Sequence, residues 1–237
     1  MDTDLIYDVG MNTGQDTDFY LRKGFRVVAI EANPLLVRDC RVRFREPEQS
    51  GRLTVVNIGV GKQAGRFTFY VNQTHHEWSS LIESIGTRGG EFETQTVDVV
   101  TLDTLLNTYG VPYYLKIDIE GMDNAAVRSV GQIADRPHYI SVETGPGPAW
   151  IDSLHEISYQ WFKLIDQTVV QGFSCPDPAR EGRSIPYRFE AGSSGPFGED
   201  TPGAWKSYSE VRQQWLDHLA KPDPGKNLWF DIHAKLR

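Results

Sequence analysis

Asp8, Gly10 and Gly14 lie in the run Asp-Val-Gly-Met-Asn-Thr-Gly, which follows the apolar stretch Leu5-Ile6-Tyr7 and precedes Asp18-Phe19-Tyr20-Leu21-Arg22-Lys23. The order reads as a strand, a glycine turn and a helix start. Glycines at such a turn let the backbone approach a ligand closely, and free amides at a helix N-terminus favour polar or anionic groups. That combination describes a nucleotide site. The dinucleotide fingerprint has a third glycine and no need of an acid ahead of the first, so this turn departs from it. Asp8 instead suits a cation, such as the ammonium of a bound amino acid, and S-adenosylmethionine carries one. Glu31 ends the next apolar run, Arg26-Val27-Val28-Ala29-Ile30, about 20 residues beyond the turn, where an acid accepts hydrogen bonds from ribose hydroxyls.

A second set of residues offers proton chemistry. Asp118 ends the run Tyr113-Tyr114-Leu115-Lys116-Ile117, Glu143 ends His138-Tyr139-Ile140-Ser141-Val142, and Glu120 follows two positions after Asp118. His75 and His76 lie in a long polar loop between Asn72 and Glu93. Each is a candidate general base, which must come within hydrogen-bond reach of the proton it removes. Asp118 and Glu143 are the best placed by topology, whereas His75 has the better intrinsic pKa. Asp118, Glu120 and Asp123 would also offer hard oxygen ligands to magnesium. Alternate residues leaving a strand point opposite ways, and no metal is assigned.

The elements that must position these residues alternate strand and helix, the pattern of an α/β sheet. Leu53 to Gly59 reads as a third strand, with Arg66 to Val71 and Thr96 to Val100 as additional ones. Helices are expected over Leu35 to Phe44, from Thr101 as a cap, over Met122 to Val130 and over Tyr208 to Leu219. Trp161 to Gln167 and Asn227 to His233 read as the last strands. Ligands of open α/β sheets collect at the carboxyl ends of the strands, and Asp8, Glu31, Asn57, Asp118 and Glu143 all fall on that edge. A Gly- and Pro-rich insertion at about 168–225 is too long for a plain connection. Its Phe173, Tyr187, Phe189, Phe197 and Trp205 predict an ordered cover over the substrate site within a single domain, 1–237.

Composition narrows the partners. The 237 residues carry 32 acids against 24 bases, a net charge of −8, and no basic cluster tracks a phosphate backbone, so nucleic acid is not expected. Arg38, Arg41, Arg43 and Arg45 read as a solvated helix face. Cys40 and Cys175 form no Cys-x-x-Cys pair, which fits a reducing compartment. No apolar run reaches the length of a signal or membrane span, and a cytoplasmic enzyme is expected.

Together these residues resemble the FkbM family of S-adenosylmethionine-dependent methyltransferases. The resemblance rests on three blocks: Asp8-x-Gly10-x-Asn12-x-Gly14 with Glu31-Ala32-Asn33-Pro34; Asn57-Ile58-Gly59-Val60-Gly61 with Ser79-Ser80-Leu81; and Leu102-Asp103 with Leu115-Lys116-Ile117-Asp118-Ile119-Glu120-Gly121. It implies the class I methyltransferase fold, a Rossmann-like, mostly parallel sheet of seven strands with helices on both faces and the last strand antiparallel. It implies O-methylation of a sugar, glycoconjugate or secondary metabolite, a small-molecule or glycan acceptor. It also implies a cofactor site of Asp8, Gly10, Asn12, Gly14, Glu31, Ala32, Asn57 and Asp118. Where the family commonly has a second Glu after the glycine of its last block, this chain has Asp123. Two alternatives share the topology, an NAD-dependent oxidoreductase and a cofactor-binding module without catalysis. Trp78, Phe197 and Trp205 are candidates to stack on a sugar face.

Overall fold

The structure is a computed structural model that describes residues 1–221 and 229–237. Among the described residues the strands are β1 (Asp2–Val9), β2 (Arg26–Glu31), β3 (Leu53–Asn57), β4 (Gly59–Val60), β5 (Gly65–Asn72), β6 (Phe92–Val100), β7 (Pro112–Ile117), β8 (Tyr139–Glu143), β9 (Trp161–Asp166), β10 (Lys206–Ser207) and β11 (Phe230–Lys235). The helices are α1 (Gln15–Arg22), α2 (Pro34–Arg43), α3 (Arg45–Gln49), α4 (Glu83–Gly86), α5 (Leu102–Tyr109), α6 (Asp123–Val130), α7 (Ala149–Glu156) and α8 (Tyr208–Ala220). The expected start of the last strand, Asn227 and Leu228, lies outside the described residues, as does the 222–225 end of the insertion.

The main sheet runs β10-β9-β11-β8-β7-β1-β2-β3. β3, β2, β1, β7 and β8 are parallel, and β11 is antiparallel to both β8 and β9. This is the class I methyltransferase order with the short β10 added at one edge, so the sheet has eight strands rather than seven. A second sheet, β4-β6-β5, stands apart from it. The run read as one strand from Leu53 to Gly59 therefore divides, because Gly59 and Val60 leave β3 to pair with Val99 and Val100 of β6.

Strand periodicity sorts the side chains onto two faces. Leu5, Tyr7 and Val9 of β1, with Leu115 and Ile117 of β7, pack under α5, α6, α7 and α8 through Leu105, Val127, Leu154 and Trp215. Ile6 and Tyr114 turn to the opposite face, beneath Phe19 and Tyr20 of α1. Thr101 is the N-cap of α5 without a side-chain cap bond. At α8 the capping box between Ser207 and Glu210 is complete.

The insertion meets this second face. Phe197 stacks on Tyr114 with ring centroids 4.5 Å apart, and Phe189 packs edge-on against Phe19. A fully buried ion pair, Lys23 to Asp200 at 2.8 Å, fastens the segment to the end of α1. The large aromatic residues expected to roof the substrate site thus serve as the apolar layer of a sheet face that α1 covers only in part.

Candidate active site

A cavity of about 380 Å³ opens at the carboxyl ends of β1, β2, β7 and β8, closed on its far side by the second sheet and the loop between β5 and β6. Of the expected site residues, Gly10, Asn12, Glu31, Ala32, Asp118, Glu120 and Glu143 line it together. Asp8, Gly14, Asn57 and His75 are not on its wall. Each of these four has a visible local task.

Asp8 is fully buried and turned toward α1, where it accepts a hydrogen bond from Thr17 Oγ1 at 2.6 Å and faces Lys116 Nζ at 3.4 Å. Gly14 adopts φ +83° at the start of α1, and a Cβ there would press on the Phe44 ring. Asn57 donates to the carbonyls of Glu31 and Ala32 at 2.9 and 3.1 Å, holding the turn after β2. His75 stacks on Trp78 and pairs with Glu77 at 3.4 Å, while its neighbour His76 lines the cavity.

One end of the cavity is built on the β1 and β2 turns. Gly10 has φ +88°, and a Cβ on it would run into the Asp118 carbonyl, so the two turns touch only because this residue is glycine. Glu31 accepts from the amides of Asn12 at 2.9 Å and Asn33 at 2.8 Å, one on each oxygen. Burial lifts its carboxyl above the usual range, against the pull of those amides. Asn12 sits in the left-handed region at φ +52°, and its Oδ1 is buried without a hydrogen-bond partner among the described residues. An acceptor left unpaired on a cavity wall is costly until a donor meets it. Asn12 Oδ1 and the free lone pairs of Glu31 are therefore open acceptors that suit hydroxyl donors such as those of the ribose of S-adenosylmethionine, and the apolar Leu36, Ile58 and Ile119 beside them suit its adenine.

Lys116 was not among the residues expected to form the site, yet it is central. Its side chain is 4% exposed, and its ammonium faces Asp8, Asp16 and Asp118 at 3.4, 3.4 and 3.5 Å and the Gly10 carbonyl at 3.3 Å. A lysine inside an otherwise apolar strand was the available signal. Asp16 was hidden among ordinary acids of a first helical turn; it lines the cavity, and both its oxygens accept from the Ser194 amide at 3.0 and 3.1 Å.

The opposite end is acidic. Glu120, at φ +46°, pairs with Arg88 of the β5–β6 loop at 3.0 Å. Such backbone conformations in a non-glycine residue concentrate at functional sites. Burial, reinforced by Asp118 and opposed by Arg88, raises the Glu120 carboxyl to about 8. Burial and then Asp118 raise Glu143 to about 10. Asp123 accepts from the amides of Ile119 and Gly121 at 2.9 and 2.8 Å, so the shorter acid at this position shapes the turn that presents Glu120.

Trp78 and Trp229 contribute the aromatic wall, and from the insertion proper Thr168 and Gly192 reach the cavity. Phe197 is buried against the sheet, and Trp205 lies between Lys163 and Lys235, away from the site. Among the described residues, no group of three or more His, Cys, Asp and Glu side chains is arranged to hold a metal ion. Among the same residues, no helix is long and apolar enough to cross a membrane.

No curated protein matches the chain in sequence. Among solved structures it is similar to a precorrin-6y C5,15-methyltransferase from Geobacter metallireducens, at 11% identity and TM-score 0.41 over 99% of this chain and 80% of that one. A TehB-like SAM-dependent methyltransferase from Corynebacterium glutamicum aligns at 10% identity and TM-score 0.39, over 68% of each chain. The SAH-bound methyltransferase PaMTH1 of Podospora anserina aligns at 11% identity and TM-score 0.34, over 99% of this chain and 72% of that one. The sequence model of the methyltransferase FkbM domain matches residues 8–164, which take in every strand end that meets in the cavity. With that match across most of its length and with the strand order of its sheet, the chain belongs to the FkbM family of S-adenosylmethionine-dependent methyltransferases.

Proposed function

We propose that the protein transfers a methyl group to a hydroxyl oxygen of a sugar, glycoconjugate or secondary metabolite. The observation that carries this reading is the acid group Asp118, Glu120 and Glu143 on the cavity wall, with Glu120 raised to about 8. S-adenosylmethionine supplies a methyl group on an already activated sulfur leaving group, so the chain's own tasks are alignment, exclusion of water and removal of one proton. A hydroxyl is a weak nucleophile until that proton goes, and a base works best with a pKa near the operating pH.

Glu120 is the residue we assign to that step. Arg88 at 3.0 Å holds its carboxylate in place. Glu143, raised to about 10, is protonated at neutral pH and donates a hydrogen bond to the acceptor. Asp118 faces Lys116 at 3.5 Å on the same wall of the cavity. Trp78 and Trp229 offer flat apolar surface for a sugar face.

The test is transfer of a ¹³C-labelled methyl group from S-adenosylmethionine to a panel of neutral glycosides and hydroxylated metabolites, with the product read by NMR. The expected product carries the label on oxygen. Label on nitrogen or carbon overturns the assignment.

A further inference from the structure

We infer that Asp16 receives the ammonium of the cofactor's methionine moiety, the role expected of Asp8, with Ser194 of the insertion as the positioning residue behind it. Three carboxylates, on Asp8, Asp16 and Asp118, share one lysine at 3.4 to 3.5 Å. Charge-assisted hydrogen bonds close to about 2.7–2.9 Å when a donor is free to commit, so Lys116 is divided rather than paired. Asp8 shows the consequence: it is fully buried, and its Oδ1 has no hydrogen-bond partner among the described residues. One cation serves three anions in a space of low dielectric, and a second cation there is strongly favoured.

The three acids differ in access. Asp8 is off the cavity wall, whereas Asp16 and Asp118 are on it. Asp118 is the open one, its side chain 39% exposed, while that of Asp16 is 4% exposed at the glycine turn. The Ser194 amide, its one N–H shared between both oxygens, positions the Asp16 carboxylate. An ammonium on Asp16 frees Lys116 to close on Asp8, so that two cations then serve the three carboxylates instead of one. A sulfonium offers no N–H and fits this set less well than the ammonium does.

The titration of Asp16 agrees with this geometry. Burial raises its carboxyl to about 6, opposed by Lys116 and the Ser194 amide and reinforced by Asp8. Asp231, Tyr20, Tyr114 and Tyr187 are the other titratable groups that its negative charge reaches, and it helps to raise each of them.

The experiment is calorimetric titration of wild type, D16N and D8N with S-adenosylhomocysteine and with its deaminated analogue, which keeps the carboxylate but lacks the ammonium. D16N is expected to bind S-adenosylhomocysteine about tenfold or more weakly and the analogue within about twofold of wild type. Equal loss for both ligands, no loss for either, or a selective loss in D8N instead overturns the assignment. A measurement on wild type alone guards against a misfolded variant: its preference for S-adenosylhomocysteine over the analogue is expected to shrink about threefold between about pH 7.5 and 5.5, as Asp16 takes up a proton. A constant preference contradicts the role. Neither ligand contains a methyl acceptor, so the outcome is independent of the hydroxyl-methylation reading.

Discussion

Replacing Lys116 with methionine is expected to cost the fold about 3–5 kcal/mol, the range for removing one partner of a buried charge group. The substitution keeps most of the side-chain volume and removes what is, among the described residues, the only ammonium within reach of Asp8 and Asp16, at 0% and 3% exposure. The loss should depend on pH in a definite direction. Asp16 already stands at about 6, above its ordinary 3.8, with the lysine beside it. A carboxyl raised in the folded state favours folding when protonated and costs stability as pH rises from the unfolded value through the folded one. Lys116 is the main cation holding Asp16 down, so its removal lifts Asp16 further and extends that costly window above about 6. Urea denaturation of K116M and wild type at pH 8 and pH 5.5 checks this. The deficit is expected to be full at the higher pH and smaller at the lower. A deficit below about 1 kcal/mol, the range of exposed pairs, would show that Lys116 is not holding buried charge.

Glu120→Gln is expected to lower kcat by about 100- to 1000-fold, within the range that general-base catalysis contributes. Glutamine retains an oxygen for Arg88, so the turn and the cofactor affinity should survive. The accompanying pH profile distinguishes a base from a bystander. With a carboxyl at about 8, wild-type kcat should fall tenfold per pH unit on the acid side of that value and level off above it. E120Q should lose this limb and run flat through the same range. An E120Q enzyme within about threefold of wild type, with the limb intact, would move the base to Asp118 or Glu143.

Much of this site is legible in the sequence because strand ends are. Apolar runs bounded by glycine or acid locate Glu31, Asp118 and Glu143, and parallel topology brings those ends to one edge. Side-chain direction is less visible. Asp8 closes an apolar run just as Glu31 does and points to the same face of the sheet, but it stands one residue short of its strand end, under α1, where Thr17 takes it, and Glu31 stands at the end of its own. The aromatic content of the insertion announces burial without naming the surface. That surface becomes apparent only when the sheet shows α1 leaving Tyr114 and Tyr139 to be covered. The departure of Gly59 and Val60 into a second sheet is equally silent, since a two-residue strand has no period to read. Lys116 and Asp16 matter through each other, and residues 100 positions apart in the chain announce nothing of that contact.

The central claim is that the methyl donor lies along the carboxyl edge of β1 and β2 with its ribose on Glu31. Titration of S-adenosylhomocysteine into wild type and E31Q tests it most directly. Glutamine keeps the shape and one acceptor oxygen but loses the charge and the second oxygen, so affinity should fall about 10- to 100-fold, while the one backbone amide left unpaired lowers the thermal transition without unfolding the protein at the temperature of the titration. Equal affinity for the two proteins would place the cofactor elsewhere and contradict the account.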